Sequence, residues 1–287
     1  MVLMKNFVQL FLLLVLSIYA SSSEIKQATF AYWDKPDVEI FYITPEQINE
    51  DTKVIFVIHG NSRNAEDYLS AWIPHVLDKN VIVAAPQFTK IDFSYFFLLE
   101  MAESSGKVNN NKKDYINNSI SLFFNYIKSK FSLNTKTYSM FGHSAGAQFT
   151  HRYMLLSMDS RISNSVIANA GWYTFLTNDE FPYGIKNSPI SISNEQIKWF
   201  MSNKVNLLIG SDDVGFQSVN SSKGANLQGI NRVDRASNYF NSLIMHAENR
   251  GYALRWNYRV LDSVDHDFKK VTPFAAQILL RDIENID

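Results

Sequence analysis

Short, mostly apolar runs recur along the chain, separated by longer stretches in which apolar residues return every three or four positions. The short runs fall at 28–33, 39–44, 53–58, 81–85, 136–141, 165–168, 205–209 and 256–261. Several of them, such as Val-Ile-Phe-Val-Ile at 54–58 and Val-Ile-Val-Ala-Ala at 81–85, lack the alternation of a half-exposed strand. Unbroken apolar character marks a parallel strand covered on both faces. The helical stretches fall at 65–77, 114–130, 145–157, 232–250 and 272–284. Strands alternating with helices predict an α/β fold: an open, mostly parallel, eight-stranded sheet flanked by helices. In such sheets functional groups gather at the C-terminal ends of the strands.

The first twenty residues stand apart from this pattern. Lys5 precedes an apolar stretch at 7–20, and Ser21, Ser22 and Ser23 follow it. A basic start, a short apolar middle and a small-residue end are the three parts of a signal peptide, here over 1–20. The stretch contains Gln9 and is shorter than the roughly 18 apolar residues that span a bilayer, so no stable membrane anchor is expected once the leader is removed. No repeat or Pro/Gly-rich linker divides the rest, which reads as one domain over 21–287. Secretion, or export to a periplasm, is the expected destination.

Charge and cysteine content narrow the function. Lysine and arginine number 27 against 28 acidic residues, without the basic excess of a nucleic-acid binder. The absence of cysteine rules out disulfides and thiolate metal sites. Asp212 and Asp213 lack the spacing of a calcium loop, and no His-Glu-x-x-His, G-x-G-x-x-G or P-loop pattern occurs. No metal or cofactor is therefore expected.

The central chemical signal is Gly142-His143-Ser144-Ala145-Gly146, which matches G-x-S-x-G. A strand at 136–141 precedes it and a helix at 145–157 follows, the strand–turn–helix setting of a nucleophile elbow. Ser144 would occupy the strained turn, where side chains at 142 and 146 would strike neighbouring backbone. A serine hydroxyl needs a base to take its proton and an acid to orient that base, in the chain order Ser, acid, His. Of the histidines downstream, His151 and His246 fall within helices. His266 stands in a polar loop after the last strand, where the base belongs. The acid belongs after the strand at 205–209, where Gly210-Ser211-Asp212-Asp213 stands. Either aspartate could serve, and a glycine with the acid three residues on favours Asp213. Asp262, Asp265 and Asp267 read as solvated loop residues.

Donors for the transition-state charge come from the strand at 53–58 running into His59-Gly60-Asn61-Ser62. The amide of Asn61 would pair with that of Ala145 as an oxyanion hole. His59, at a strand end ahead of the nucleophile, and His143, inside the elbow, read as structural. Arg232 and Arg235 read as braces for the loop at 210–229 rather than as a carboxylate site.

Together these segments resemble the α/β-hydrolase superfamily, and more narrowly exported esterases related to polyhydroxyalkanoate depolymerases. The likeness rests on His59-Gly60-Asn61-Ser62-Arg63-Asn64-Ala65-Glu66-Asp67-Tyr68 and on Gly142 to Arg152. It continues through Ala168-Asn169-Ala170-Gly171-Trp172-Tyr173, Gln228-Gly229-Ile230-Asn231-Arg232 and Val264-Asp265-His266-Asp267. The resemblance implies a serine esterase acting on a small-molecule or polymeric ester, with room for a small cap after the sixth strand. Trp172, Tyr173, Phe175, Phe181 and Tyr183 would lie in that region, as pocket or as packing. The chain departs from the group between Pro86 and Asn118, where an aromatic run, with Tyr95, Phe96 and Phe97 read as core, is followed by a polar one. Two other readings stay open: a peptidase or thioesterase on the same triad, and a non-catalytic secreted binding protein on a hydrolase fold.

Overall fold

The structure, a computed structural model, describes residues 24–215 and 219–284. The leader read at 1–20 lies outside them. Eight strands form one sheet: β1 (Lys26–Phe30), β2 (Val38–Ile43), β3 (Lys53–Ile58), β4 (Val81–Gln87), β5 (Tyr138–His143), β6 (Ile162–Ala168), β7 (Val205–Gly210) and β8 (Trp256–Leu261). Their spatial order is β1-β2-β4-β3-β5-β6-β7-β8. β2 pairs antiparallel with both β1 and β4, and every other neighbouring pair is parallel.

The apolar runs are explained by what covers each face. In β3, Val54, Phe56 and Ile58 enter one core cluster, while Ile55 and Val57 enter the other. Each such side chain taken from water contributes roughly 1.5–3 kcal/mol, so both faces of β3 favour apolar residues. The first cluster is closed by α3 (Ser119–Phe131), α4 (Ala145–Ser157), α5 (Asn194–Ser202) and α7 (Arg232–Arg250). The second is closed by α1 (Ala65–Ser70), α2 (Ile73–Val76) and α8 (Phe268–Glu284). A single-turn α6 (Lys223–Asn226) lies between β7 and α7.

Three predicted helices shift. The stretch at 65–77 divides into α1 and α2, because Pro74 has no amide to continue the ladder from α1. The stretch at 114–130 becomes helical only at Ser119; before it, Ile116 donates its amide to Leu99 at 3.1 Å and both Tyr115 and Ile116 are buried. α8 starts at Phe268, with the Asp267 carboxylate accepting the Lys269 amide at 2.9 Å, so Asp267 caps a helix rather than lying free in a loop. The aromatic run after β4 folds into the first core cluster, with Phe93 and Phe96 buried and Tyr95 and Phe97 packed against it. No described helix is long and apolar enough to cross a membrane.

Candidate active site

β5 ends at His143, and Ser144 stands between it and α4 with φ 57° and ψ −118°. Its amide donates to the Ala168 carbonyl at 2.9 Å, which ties the turn to the end of β6. A Cβ on Gly142 would collide with the Gly146 carbonyl, and one on Gly146 with the Ile58 carbonyl. Only glycine lets the start of α4 rest directly on the end of β3.

The Ser144 hydroxyl lies 2.9 Å from His266 Nε2, and His266 Nδ1 lies 2.7 Å from Asp213 Oδ2. An ionised carboxylate can only accept, so Nδ1 carries the proton and Nε2 presents its lone pair to Ser144. Asp213 is buried. Asp212 is exposed and accepts the Ser211 hydroxyl at 2.9 Å. His266, with 32% of its side chain exposed, keeps an open side toward solvent.

Two loops carry these groups, and hydrogen bonds lace them together. Ser211 donates its amide to Leu261, Asp212 donates its amide to Val264, and Ser263 donates its amide to the Ser211 hydroxyl, at 2.9, 3.0 and 2.9 Å. Asn169, just past β6, is fully buried with φ 52°. Its side chain accepts the Gly210 amide at 3.2 Å and donates to the Asp265 carbonyl at 3.0 Å, stapling the acid loop to the histidine loop.

Gly60 brings the β3 end against the elbow: a Cβ there would lie 3.5 Å from Ser144 Cβ and 2.7 Å from the Tyr68 hydroxyl. Ala145 opens α4, where the first amides have no partner within the helix. The segment bearing Asn61 is held from behind. His59 Nε2 accepts the Phe88 amide at 3.0 Å, so its Nδ1 donates to the Gly60 carbonyl at 2.9 Å. Arg63 donates to the carbonyls of Phe88, Thr89, Phe93 and Ser94 at 2.8–3.0 Å and lies over the Phe96 ring. Burial pushes His59 down to about 4 and Arg63 down to about 10.

His143 sits beside the base, its ring centroid 4.9 Å from that of His266. Its Nδ1 is hydrogen-bonded to the Tyr68 hydroxyl at 2.8 Å, and Tyr68 stacks on Phe268 at 3.9 Å. Burial, with the neighbouring His266 imidazole and Arg232 guanidinium adding to it, holds His143 well below the usual imidazole range. His143 therefore packs as a neutral ring.

Arg235 braces the 210–229 loop, donating to the Gly229 and Asn220 carbonyls and to the Gly171 carbonyl at 2.8–3.0 Å. Arg232 reaches further than sequence suggests: its Nη1 donates to Asp213 Oδ1 at 2.9 Å. Among the residues after β6, Trp172, Tyr173 and Phe181 are buried, with Tyr173 stacked on Tyr239 and Trp172 under the Arg152 guanidinium. That segment carries no helix or strand beyond an isolated bridge between Glu180 and Lys186. No group of three or more His, Cys, Asp or Glu among the described residues is arranged to hold a metal ion.

No family model matches the chain, and no curated protein matches it either. Solved structures do. A poly(aspartic acid) hydrolase from Sphingomonas sp. KT-1 superposes with a TM-score of 0.82 at 26% identity, covering 89% of this chain and 98% of its own. A poly(3-hydroxybutyrate) depolymerase from Bordetella parapertussis superposes with a TM-score of 0.81 at 22% identity, covering 90% of each chain. A siderophore hydrolase from Aspergillus nidulans reaches a TM-score of 0.57 at 13% identity, over 93% of this chain and 96% of its own. The last two likenesses are of fold.

Proposed function

We propose that this chain, an enzyme of the α/β-hydrolase fold, hydrolyses carboxylic esters with Ser144 as nucleophile, His266 as general base and Asp213 as the acid that orients it. What supports the reading is the unbroken hydrogen-bond chain from Ser144 Oγ through His266 to Asp213, at 2.9 and 2.7 Å. His266 Nε2 takes the hydroxyl proton as Oγ bonds to the ester carbonyl carbon, and the carbonyl π electrons move onto oxygen. The amides of Asn61 and Ala145 hold that oxyanion. As the intermediate collapses, His266 returns the proton to the departing alkoxide and an acyl-enzyme remains. Water, deprotonated by His266, then attacks the acyl carbon; the acid departs and Ser144 regains its proton.

An amide substrate is the second reading, favoured by the likeness to a poly(aspartic acid) hydrolase at 26% identity. A set of p-nitrophenyl esters of increasing acyl length, run beside poly(aspartic acid), separates the two. Export follows from the leader read at 1–20. Both proposals meet in one experiment: label the protein released by cells with a fluorophosphonate, then map the label and the N-terminus. The expected product starts between Ser21 and Ser23 and carries the label on Ser144. Ser144→Ala should take no label and turn over esters roughly 10⁶-fold more slowly. A folded Ser144→Ala protein with near-normal turnover would overturn the mechanism, and a retained leader would overturn export.

A further inference from the structure

Arg232 and Asp213 form an ion pair with 3% and 1% of their side chains exposed. The carboxylate has two oxygens, and the structure uses both: Oδ1 accepts from Arg232 Nη1 at 2.9 Å, Oδ2 from His266 Nδ1 at 2.7 Å. A carboxylate at that depth without a counter-charge is strongly unfavourable, and one bonded on a single side is free to rotate about its χ2. Arg232 answers both needs and is itself fixed. It is the first residue of α7, whose start is set by Asn231 accepting the Asp234 amide at 2.8 Å. One turn on, Arg235 ties the same end of the helix to the Gly229 and Gly171 carbonyls.

From this geometry we infer that Arg232 is a positioning residue of the hydrolysis, supplying the counter-charge of Asp213 and fixing its carboxylate so that Oδ2 faces His266. The inference rests on the hydrolase reading above. Arg232 acts through Asp213 and, being buried, does not touch substrate, so its loss should appear in kcat and leave KM alone.

The test uses the full chain as wild type, R232Q, R232K, D213N and the double variant R232Q/D213N, assayed on a p-nitrophenyl ester. R232Q should lose about 10²-fold in kcat through misplacement of the imidazole, and R232K should recover part of that. The double variant should be no slower than D213N alone, since the negative charge that Arg232 holds in place is already gone in D213N. R232Q with wild-type kcat, a loss confined to KM, or a double variant slower than D213N by the whole R232Q factor would overturn the inference. Should R232Q not fold, the double variant, which removes both charges together, still supplies the comparison with D213N. A wild type that hydrolyses no ester would count against the esterase reading alone. In that case the proton NMR spectrum decides: the far-downfield Nδ1–H resonance of His266 should be present in wild type and lost or shifted in R232Q. An unchanged resonance in R232Q overturns the positioning role.

Discussion

At the scale of single residues, Asp213 and Asp212 are adjacent in sequence but differ in surroundings, one buried between Arg232 and His266, the other exposed beside Ser211. Asp213→Asn should therefore cost on the order of 10⁴ in kcat by leaving the imidazole in the wrong tautomer. Asp212→Asn should change kcat less than about tenfold by the same reasoning. Measured side by side on one ester, a reversal of the two effects would assign the orienting role to Asp212. The three side chains that meet at the strand ends are those that chain order and the Gly210 spacing single out. Their supports were not legible in the same way. Asn169, Arg63 and Arg232 act on backbone or carboxylate 25 or more positions away, or across a loop of their own, and no local pattern encodes such a contact. Arg232 could be read only as far as its own loop.

At the scale of elements, the site depends on β6 and β7 ending in register and on the loops beyond them staying joined. Asn169 is the join. Asn169→Ala removes two side-chain hydrogen bonds, leaves the Gly210 amide without its acceptor, and puts alanine at φ 52°. Together these should cost roughly 2–4 kcal/mol in urea unfolding. Asn169→Gly, which accepts the backbone geometry, should recover the strain but not the staple, and kcat should fall in both variants. Wild-type stability and kcat in Asn169→Ala would show that the loops hold without it. The strands were legible because two covered faces leave a plain apolar run. The helices were less so. Periodicity does not single out α5, although Ser193 caps it and Ile197, Phe200 and Met201 mark its buried face, because nine residues give only about two and a half turns. The break between α1 and α2 turns on one missing amide at Pro74, which periodicity alone does not register.

At the scale of the molecule, His59, His143 and His151 are buried in different parts of the core, and burial lowers the proton affinity of all three. On unfolding they return to their ordinary value near 6.5. Between the folded and unfolded values the unfolded chain binds more protons, so stability rises with pH. The contribution of His59 is complete above about pH 6.5 and is lost progressively as the pH falls toward 4, and those of His143 and His151 change in the same direction. His59 contributes up to about 1.4 kcal/mol per pH unit within its window, and His143 and His151 act in the same direction, so urea unfolding should weaken by more than about 1 kcal/mol between pH 6 and pH 5. A stability that stays flat from pH 8 to pH 5 would mean that these rings are solvated. The Asp213–Arg232 pair also has a meaning for protein engineering. It joins β7 to the start of α7 across an intervening segment in which Val214, Leu227 and Ile230 are well exposed while Ala225 and Gln228 are buried. Lengthening a segment whose ends are already fixed costs little, about 0.6 kcal/mol for each doubling. The exposed part of the stretch can thus serve as an exchangeable cassette: new sequence between the two anchors, with the contacts of Arg235 and those of Gln228 to Tyr173 kept, would alter the surface and leave the carboxylate where it stands.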